Sequence, residues 1–543
     1  MSLRILALLA LLLGVFSTRT ADAHFLWVVT EPADKAASVK VYFSELAGPD
    51  DPKLLDRVTA AEVWLPADRR SEAQQLTLKK SEDALEAELP AERRNSPVAL
   101  RHTYGVISRG GETFLLNYYA KTYPTALPGS WQALDDAKLL PMEIVPELDG
   151  QDVVFRVLWQ GQPLSGATVT VYDADFEEHE GTTDEAGAYR CRLTDPGMIS
   201  VRARHIEMQK GEHDGKAYDS VRHYSTLALR FVPSQLTAAE HEWPGLPRGI
   251  TSFGGAVVGD GLYVYGGHYG RAHHYSREGQ SGDFARLNLR DPQEWESLPG
   301  GPKLTGLAMV AHDGKLYRIG GFTAKNGDDE DQSLWSQPDF ARFDPKGGDW
   351  ESLPDLPEGR SSHDAAMIGD TLYVVGGWTL QGDAENDWHD TAWSIDLSAK
   401  ALQWKPLPQP PFRRRALALA NWQGKLYCLG GMQEEGGPTT AVAIFDPATQ
   451  KWSEGPALLG GGMDGFGASA FACDDALYAT TISGSIQRLS ADGRRWEFVG
   501  QLEHPRFFHR LLPWHDRQLV VVGGASMSVG KIRPLERLPV TAE

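Results

Sequence analysis

What the chain has little of sets the first limits. Cysteine occurs three times in 543 residues, at Cys191, Cys428 and Cys473. Three thiols without metal-type spacing exclude a zinc ribbon or a disulfide framework, and at least one must stay unpaired. Cys428 with Cys473 is the one pairing worth testing. Basic residues are outnumbered, 53 Lys and Arg against 73 Asp and Glu, for a net charge of −20. That balance argues against nucleic acid and anionic membrane as partners. No HExxH occurs, so a zinc protease is not expected. Beyond the first residues no apolar run is long enough for a membrane helix, so no transmembrane anchor is expected.

The opening residues carry the one long apolar run. Arg4 precedes residues 5–16, and Ala21 and Ala23 give an A-x-A cleavage signal. Residues 1–23 therefore read as a signal peptide, the mature chain as beginning at His24, and the protein as periplasmic or secreted. Losing Arg4, Arg19 and Asp22 moves the charge from −20 to −20 − 2 + 1, or −21.

A short phrase then repeats through the second half. It reads LYVYGG at 262–267, LYRIGG at 316–321, LYVVGG at 372–377, LYCLGG at 426–431 and LVVVGG at 519–524, with a degraded LYATTI at 477–482. Tryptophans interleave at Trp243, Trp295, Trp350, Trp404, Trp452 and Trp496. A period near fifty residues marks one supersecondary unit used repeatedly. Six copies predict six four-stranded blades, with Asp-Pro turns at 291–292, 344–345 and 446–447 between third and fourth strands. Trp243 precedes the first copy and no tryptophan follows the last. The segment near Trp243 should therefore complete the final blade beside residues 531–538 and hide the open edges.

These motifs resemble the kelch family over about 300 residues. The resemblance implies a β-propeller in which the diglycines permit close backbone approach and the tryptophans pack between blades. The fold class is therefore all-β: N-terminal β-sandwich modules, then a six-bladed propeller. Its expected divisions are the signal peptide, a β-rich domain at 24–146, a second sandwich at 147–235 after the Asp149-Gly150 turn, and the propeller at 236–543. The phrases GQPLSGATVTVYDAD (161–175) and GTTDEAGAYRCRL (181–193) resemble a transthyretin-like or carboxypeptidase-regulatory-like sandwich. Residues 60–94 are charged and without clear periodicity.

Histidines give the first candidate site. Cleavage before His24 would place an α-amine and an imidazole on one residue, a chelating pair. Along alternating strands His102 shares its face with Val98 and Leu100, His205 with Val201 and Ala203, and His223 with Val221 and Leu227. A hairpin closed through residues 208–217 would set His205 opposite His223, with His213 at its tip. The plainer reading is hydrogen-bonded core histidines and a polar turn. This region also resembles exported β-sandwich proteins associated with nickel or cobalt uptake, through His24–Trp27, Tyr104–Val106, residues 116–121, and the stretch from Ala203-Arg204-His205 to Arg222-His223-Tyr224. Nitrogen-rich ligation favours Cu or Ni, with Zn also admissible.

The propeller mouth gives the second. Loops after the second strand of blades one to three carry His268, His273 and His274, then residues 325–331, then 383–390 with His389. Entering inner strands on the same face lie Arg360, His363, Asp364, Arg413, Arg506 and His509. These could bind a carbohydrate or a protein partner, or could be ordinary repeat residues beside solvated loops. Residues 328–331 lack EF-hand spacing for calcium. The reading favoured is a non-catalytic metal- and ligand-binding protein, with no catalytic residue assigned. The alternative is a carbohydrate-active enzyme resembling the sialic acid mutarotases, with acid–base groups at the mouth. A radical oxidase like galactose oxidase is disfavoured, since Cys428 sits inside a core strand.

Overall fold

A computed structural model describes residues 24–540, except 32–36, 68–70, 91–92, 94–95, 135, 150–151, 237, 240–242 and 516. The expected signal peptide lies outside the described residues. Nearly every element is a strand, as the alternating patterns require.

The N-terminal half is built on one eight-stranded sheet. Its spatial order is Glu178–Thr182, Thr168–Tyr172, Gly197–Glu207, Ser220–Phe231, Glu112–Thr122, Val98–Arg109, Glu62–Leu65 and Gln74–Leu76. Strands from either side of residue 147 thus share this sheet. Asp149 ends a strand that pairs with Asp152–Trp159, so the strands flanking the turn expected to separate two domains are hydrogen-bonded neighbours. The illegible stretch 60–94 holds four short strands.

Alternation gives the sheet two buried faces. Leu100, Tyr118, Ala120 and Ala228 pack beneath the sheet formed by Phe25–Glu31, Ser38–Ser44, Leu85–Glu88 and Lys79–Lys80. Ala99, Tyr119, Val201 and Leu227 pack on the other side, against Met142–Asp149, Asp152–Trp159 and Ala188–Arg192. The result is three β layers with a core on each side of the middle one. Inside the second core Lys121 is fully buried, its Nζ 2.5 Å from Glu143 Oε1.

The second half is a six-bladed propeller. Inner strands run Gly254–Val258, Ala308–His312, Asp364–Ile368, Ala418–Trp422, Ser469–Cys473 and Arg510–Pro513 around a central channel. Five blades have four strands; among the described residues the sixth has three, ending at Glu536–Pro539. The expected closure is present as hydrogen bonds: Ala239 N donates to Arg537 O (2.8 Å) and Leu246 N to Arg533 O (2.9 Å). The tryptophans stitch blades together. Trp350 Nε1 donates to Pro299 O, Trp404 to Pro354 O, Trp452 to Pro408 O and Trp496 to Pro456 O, at 2.8–3.1 Å. Trp295 likewise reaches Pro244 O (3.1 Å), so Trp243-Pro244 acts as the missing outer edge of blade six.

The diglycines bridge blades through their backbone. Gly267, Gly321, Gly377, Gly431 and Gly524 donate N–H to Leu304, Arg360, Arg414, Gly465 and Ile250 carbonyls in the following blade, at 2.7–2.9 Å. Each diglycine has positive φ, and a Cβ on Gly320 would stand 2.4 Å from Arg360 O. In blade five Thr481-Ile482 replaces the pair, and Thr480 Oγ1 meets His509 Nε2 at 2.6 Å.

Two residues before each inner strand begins, the blades are joined in a closed circle. Gly306 N donates to Ser252 O, Ser362 to Gly306, Ala416 to Ser362, Gly467 to Ala416, Phe508 to Gly467 and Ser252 to Phe508, at 2.7–3.3 Å. All six residues are left-handed, φ 53–66°, four of them not glycine.

Gly320→Ala is expected to cost more than ~2 kcal/mol, because strain and a backbone clash coincide. Gly369→Ala, with similar φ but open space around it, should cost about 1 kcal/mol. Urea unfolding of the two variants checks the difference.

Candidate functional site: the two ends of the propeller channel

The arginines and histidines expected at the mouth are turned into the blades. Arg360 is fully buried, its Nη1 donating to Gly376 O (2.9 Å) and Thr391 O (3.0 Å), its Nη2 to Glu358 Oε1 (2.5 Å). Arg506 does the same with Gly523 O, Pro534 O and Glu536 Oε1. Both hold the end of their own blade's second strand and cannot serve a ligand. His363 and His509 occupy the position filled elsewhere by Phe253, Leu307, Leu417 and Ala468, a wedge between blades. Burial keeps both imidazoles neutral, their pKa well below 6.5. Neither ring nitrogen of His363 has a hydrogen-bond partner among the described residues. The charges at the inner-strand starts are consumed too: Arg510 Nη1 spans the channel from blade six to Asp364 Oδ1 of blade three (2.8 Å). Its other nitrogens donate to Phe253 O and Leu307 O, and Asp364 Oδ2 accepts from Leu419 N.

The mouth loops are likewise knitted shut. His268 is buried, with Nε2 3.0 Å from His274 O, and burial lowers its pKa to about 4. His274 Nε2 meets Asp328 O (2.9 Å), and Gln332 Nε2 donates to the exposed His273's carbonyl (2.9 Å). His389 is buried against Thr379 Oγ1 (3.0 Å), its pKa also lowered to about 4 by burial. Arg413 is exposed but paired with Asp390 (2.9 Å) and Glu434 (3.2 Å). Its neighbour Arg415, the last of the run Arg413-Arg414-Arg415 that enters the inner strand on the mouth face, is different: the guanidinium lies 4.2 Å above Trp378 and 5.4 Å from Trp388. Three consecutive arginines with tryptophans two loops away were the available signal.

The open end is the other one. Beyond the backbone circle and the Arg510–Asp364 pair, the later halves of the inner strands enclose a cavity of about 330 Å³. Val257, Val310, Met367, Leu419, Phe471 and Leu512 give it mostly apolar walls. It faces the hairpin turns, opposite the long loops on which the expected ligand residues sit.

In the N-terminal half the histidines divide. His205 and His223 are direct cross-strand partners, as the hairpin reading required, with rings 6.1 Å apart. His223 is buried between Tyr119 Oη (3.2 Å) and Glu207 Oε2 (3.0 Å), and Trp159 packs on both imidazoles. His24 lies across the sheet, with Nε2 3.2 Å from Asp50 and its ring beside Phe43 of the other core. His102 pairs in register with Tyr118 on that same side. Phe43 and Tyr104 stand between the His24 and His102 rings. His213 sits at the tip of the two-stranded hairpin Gly211–His213/Lys216–Tyr218. One ion held jointly by His24, His102, His205, His213 and His223 therefore does not fit. The middle sheet separates His24 and His102 from His205 and His223, a relation that period-two alternation cannot express. Among the described residues the one compact ligand group is Asp173, Glu177 and His179. There Asp173 already accepts from Asp175 N, Glu177 N and His179.

Comparison with known proteins matches residues 252–484 to the KLHDC2/KLHL20/DRC7 kelch-repeats domain. The second half is a kelch-repeat propeller. Residues 21–207 match DUF4198, a domain of unknown function. Kelch-like protein terF of Aspergillus terreus is 26% identical over 41% of this chain and 50% of its own length. N-acetylneuraminate epimerase of Haemophilus influenzae is 34% identical over 28% of this chain and 37% of its own. Kelch-like protein 35 of Mus musculus is 24% identical over 39% and 31%. The chain thus spans half or less of the length of these relatives. The solved structure of YjhT aligns over 55% of this chain and 98% of its own, at 19% identity and TM-score 0.45.

The neutral kelch histidines set a pH response. Because burial depresses the folded pKa of His268, His363, His389 and His509, the unfolded chain takes up protons first. Stability is therefore intact above pH ~6.5 and falls as pH drops below it, by up to ~1.4 kcal/mol per pH unit for each group. His363→Leu, the residue two other blades use, should leave stability at pH 7 equal or higher and flatten part of the loss between pH ~6.5 and ~5. Urea midpoints across that range are the measurement.

Proposed function

We propose that this chain is an exported, non-catalytic binding protein whose propeller is an interaction platform, receiving its ligand in the central channel from the hairpin-turn end. The observation that carries this reading is the blind, mostly apolar cavity of about 330 Å³, stopped by the Arg510–Asp364 pair and the backbone circle. Concave, largely pre-formed apolar pockets with a few polar groups are where small ligands and inserted side chains bind. A protein segment or a carbohydrate with an apolar face suits such a blind channel. Export rests on the leader-like residues 1–23.

The test uses 1-anilinonaphthalene-8-sulfonate as an apolar probe. Ala311→Trp and Ala472→Trp, both half-buried at the cavity wall, should each weaken probe binding more than tenfold with little change in melting temperature. Unaltered binding, or none to the native chain, removes the channel reading. The enzyme alternative leans on relatives named N-acetylneuraminate epimerase. Its expected mouth groups, Arg360, His363, Asp364 and Arg506, are all tied into the scaffold. Faster exchange of N-acetylneuraminate anomers, followed by NMR, would favour that alternative.

For the N-terminal half, which resembles proteins of nickel or cobalt uptake and carries the transthyretin-like phrases, we infer a Cu, Ni or Zn site at the His205–His223 pair with Glu207. The support is their cross-strand pairing and stacking. His223→Ala should abolish calorimetric binding of that ion, and His24→Ala should leave it unchanged. Loss in both variants would restore a shared site, and no uptake by the native chain ends the metal reading.

A further inference from the structure

We propose that Arg415 and its two tryptophans form an anion-binding site at the loop-covered mouth, taking a carboxylate or phosphate carried on a flat or ring-shaped body. This site is separate from the channel cavity and does not rest on that reading.

The starting point is a missing partner. Arg360, Arg414, Arg506 and Arg510 all donate to backbone carbonyls, and three of them also reach a carboxylate. The exposed Arg413 has two carboxylates. The Arg415 side chain makes no hydrogen bond or ion pair with any described residue. Its Nε is sealed from solvent and unsatisfied, whereas its terminal nitrogens are not sealed. Burial with no acid nearby holds its pKa below the usual arginine value, and Tyr275 is the one ionisable group acting on it. A buried polar group without a partner in a native structure calls for an explanation, and an absent ligand is one.

The fold does not need an arginine here. Each of these positions bridges the residue after the diglycine, and Thr251, Thr305, Ser361 and Phe507 fill it in other blades. Blade four alone carries a guanidinium. Its surroundings are shaped for a ligand. Trp378 and Trp388 form a T-shaped pair 5.4 Å apart, and their faces orient the guanidinium by cation–π contact. Trp378 Nε1 is a second sealed donor without a partner among the described residues. An arginine held in plane by aromatic faces presents its outer fork to a carboxylate or phosphate, while the indoles offer stacking area to the body that bears it. Tyr275, from the blade-one loop, is close enough to act on the guanidinium electrostatically.

The experiment titrates the full chain with benzoate, benzamide and inorganic phosphate, read by calorimetry and tryptophan fluorescence. Benzoate is expected to bind at least tenfold more tightly than its neutral isostere benzamide. Arg415→Gln should reduce benzoate binding at least tenfold, Arg415→Lys should retain part of it, and Arg413→Gln should leave it unchanged. Trp388→Leu should weaken benzoate more than phosphate if a ring-borne carboxylate is the natural group, and both equally if a bare anion is. Melting curves confirm folding, and should Arg415→Gln fail to fold, the Arg415→Lys and Trp388→Leu results decide. No binding of benzoate or phosphate by the native chain overturns the proposal. So does equal binding of benzoate and benzamide, or benzoate binding indifferent to Arg415.

Discussion

Six backbone hydrogen bonds running head to tail around the channel determine how the rest of the propeller is arranged. Each is made by a residue in the left-handed region, and at Ser252, Ser362, Ala416 and Phe508 that conformation is held without glycine. Such strain persists only where the surroundings over-determine it, and here the surroundings are the inner strands that the circle draws together. Once the circle is closed, the next residue of every blade becomes an interblade wedge. The one after it looks into a channel already stopped on that side. The Arg510–Asp364 pair reinforces the stop by tying blade six to blades one, two and three in a single side chain. A channel sealed there leaves its free volume at the turn end.

The architecture was readable because it repeats. Five diglycines and six tryptophans at a near-constant period state a propeller whatever their exact partners. Even the unpaired Trp243 pointed to the closing edge. The partners were not readable. Arg360 and Arg506 look like mouth residues in a linear pattern, yet each side chain doubles back to carbonyls of its own blade. A sequence shows position in the repeat but not the direction of a long side chain. His363 and His509 were misjudged for a related reason: the wedge position accepts Phe, Leu, Ala or His, so no hydrophobic pattern marks it.

In the N-terminal half the strand phases were correct and the layers were not. Alternation placed His205 and His223 on one face and their register opposite each other. It could not tell that Phe25–Glu31 would cover the reverse face, carrying His24 with it. The Asp149-Gly150 turn shows the same limit. A turn signal marks where a chain bends, whereas membership of a common sheet depends on pairing partners a hundred residues away, as between Ser220–Phe231 and Glu112–Thr122.

The seam at blade six joins the two halves mechanically. Pro244 receives the indole of Trp295, Ala239 bonds to the last strand at Arg537, and Leu246 to Arg533 just before it. The polypeptide arriving from the sandwich is thus itself the clasp of the toroid. Tension on the N-terminal half would load the pairing of Gln235 and Leu236 with blade five's outer strand at Val499 and then that clasp, and a fragment cut at the first repeat would lose both. Anchorage upstream and integrity of the ring are one mechanical problem in this chain.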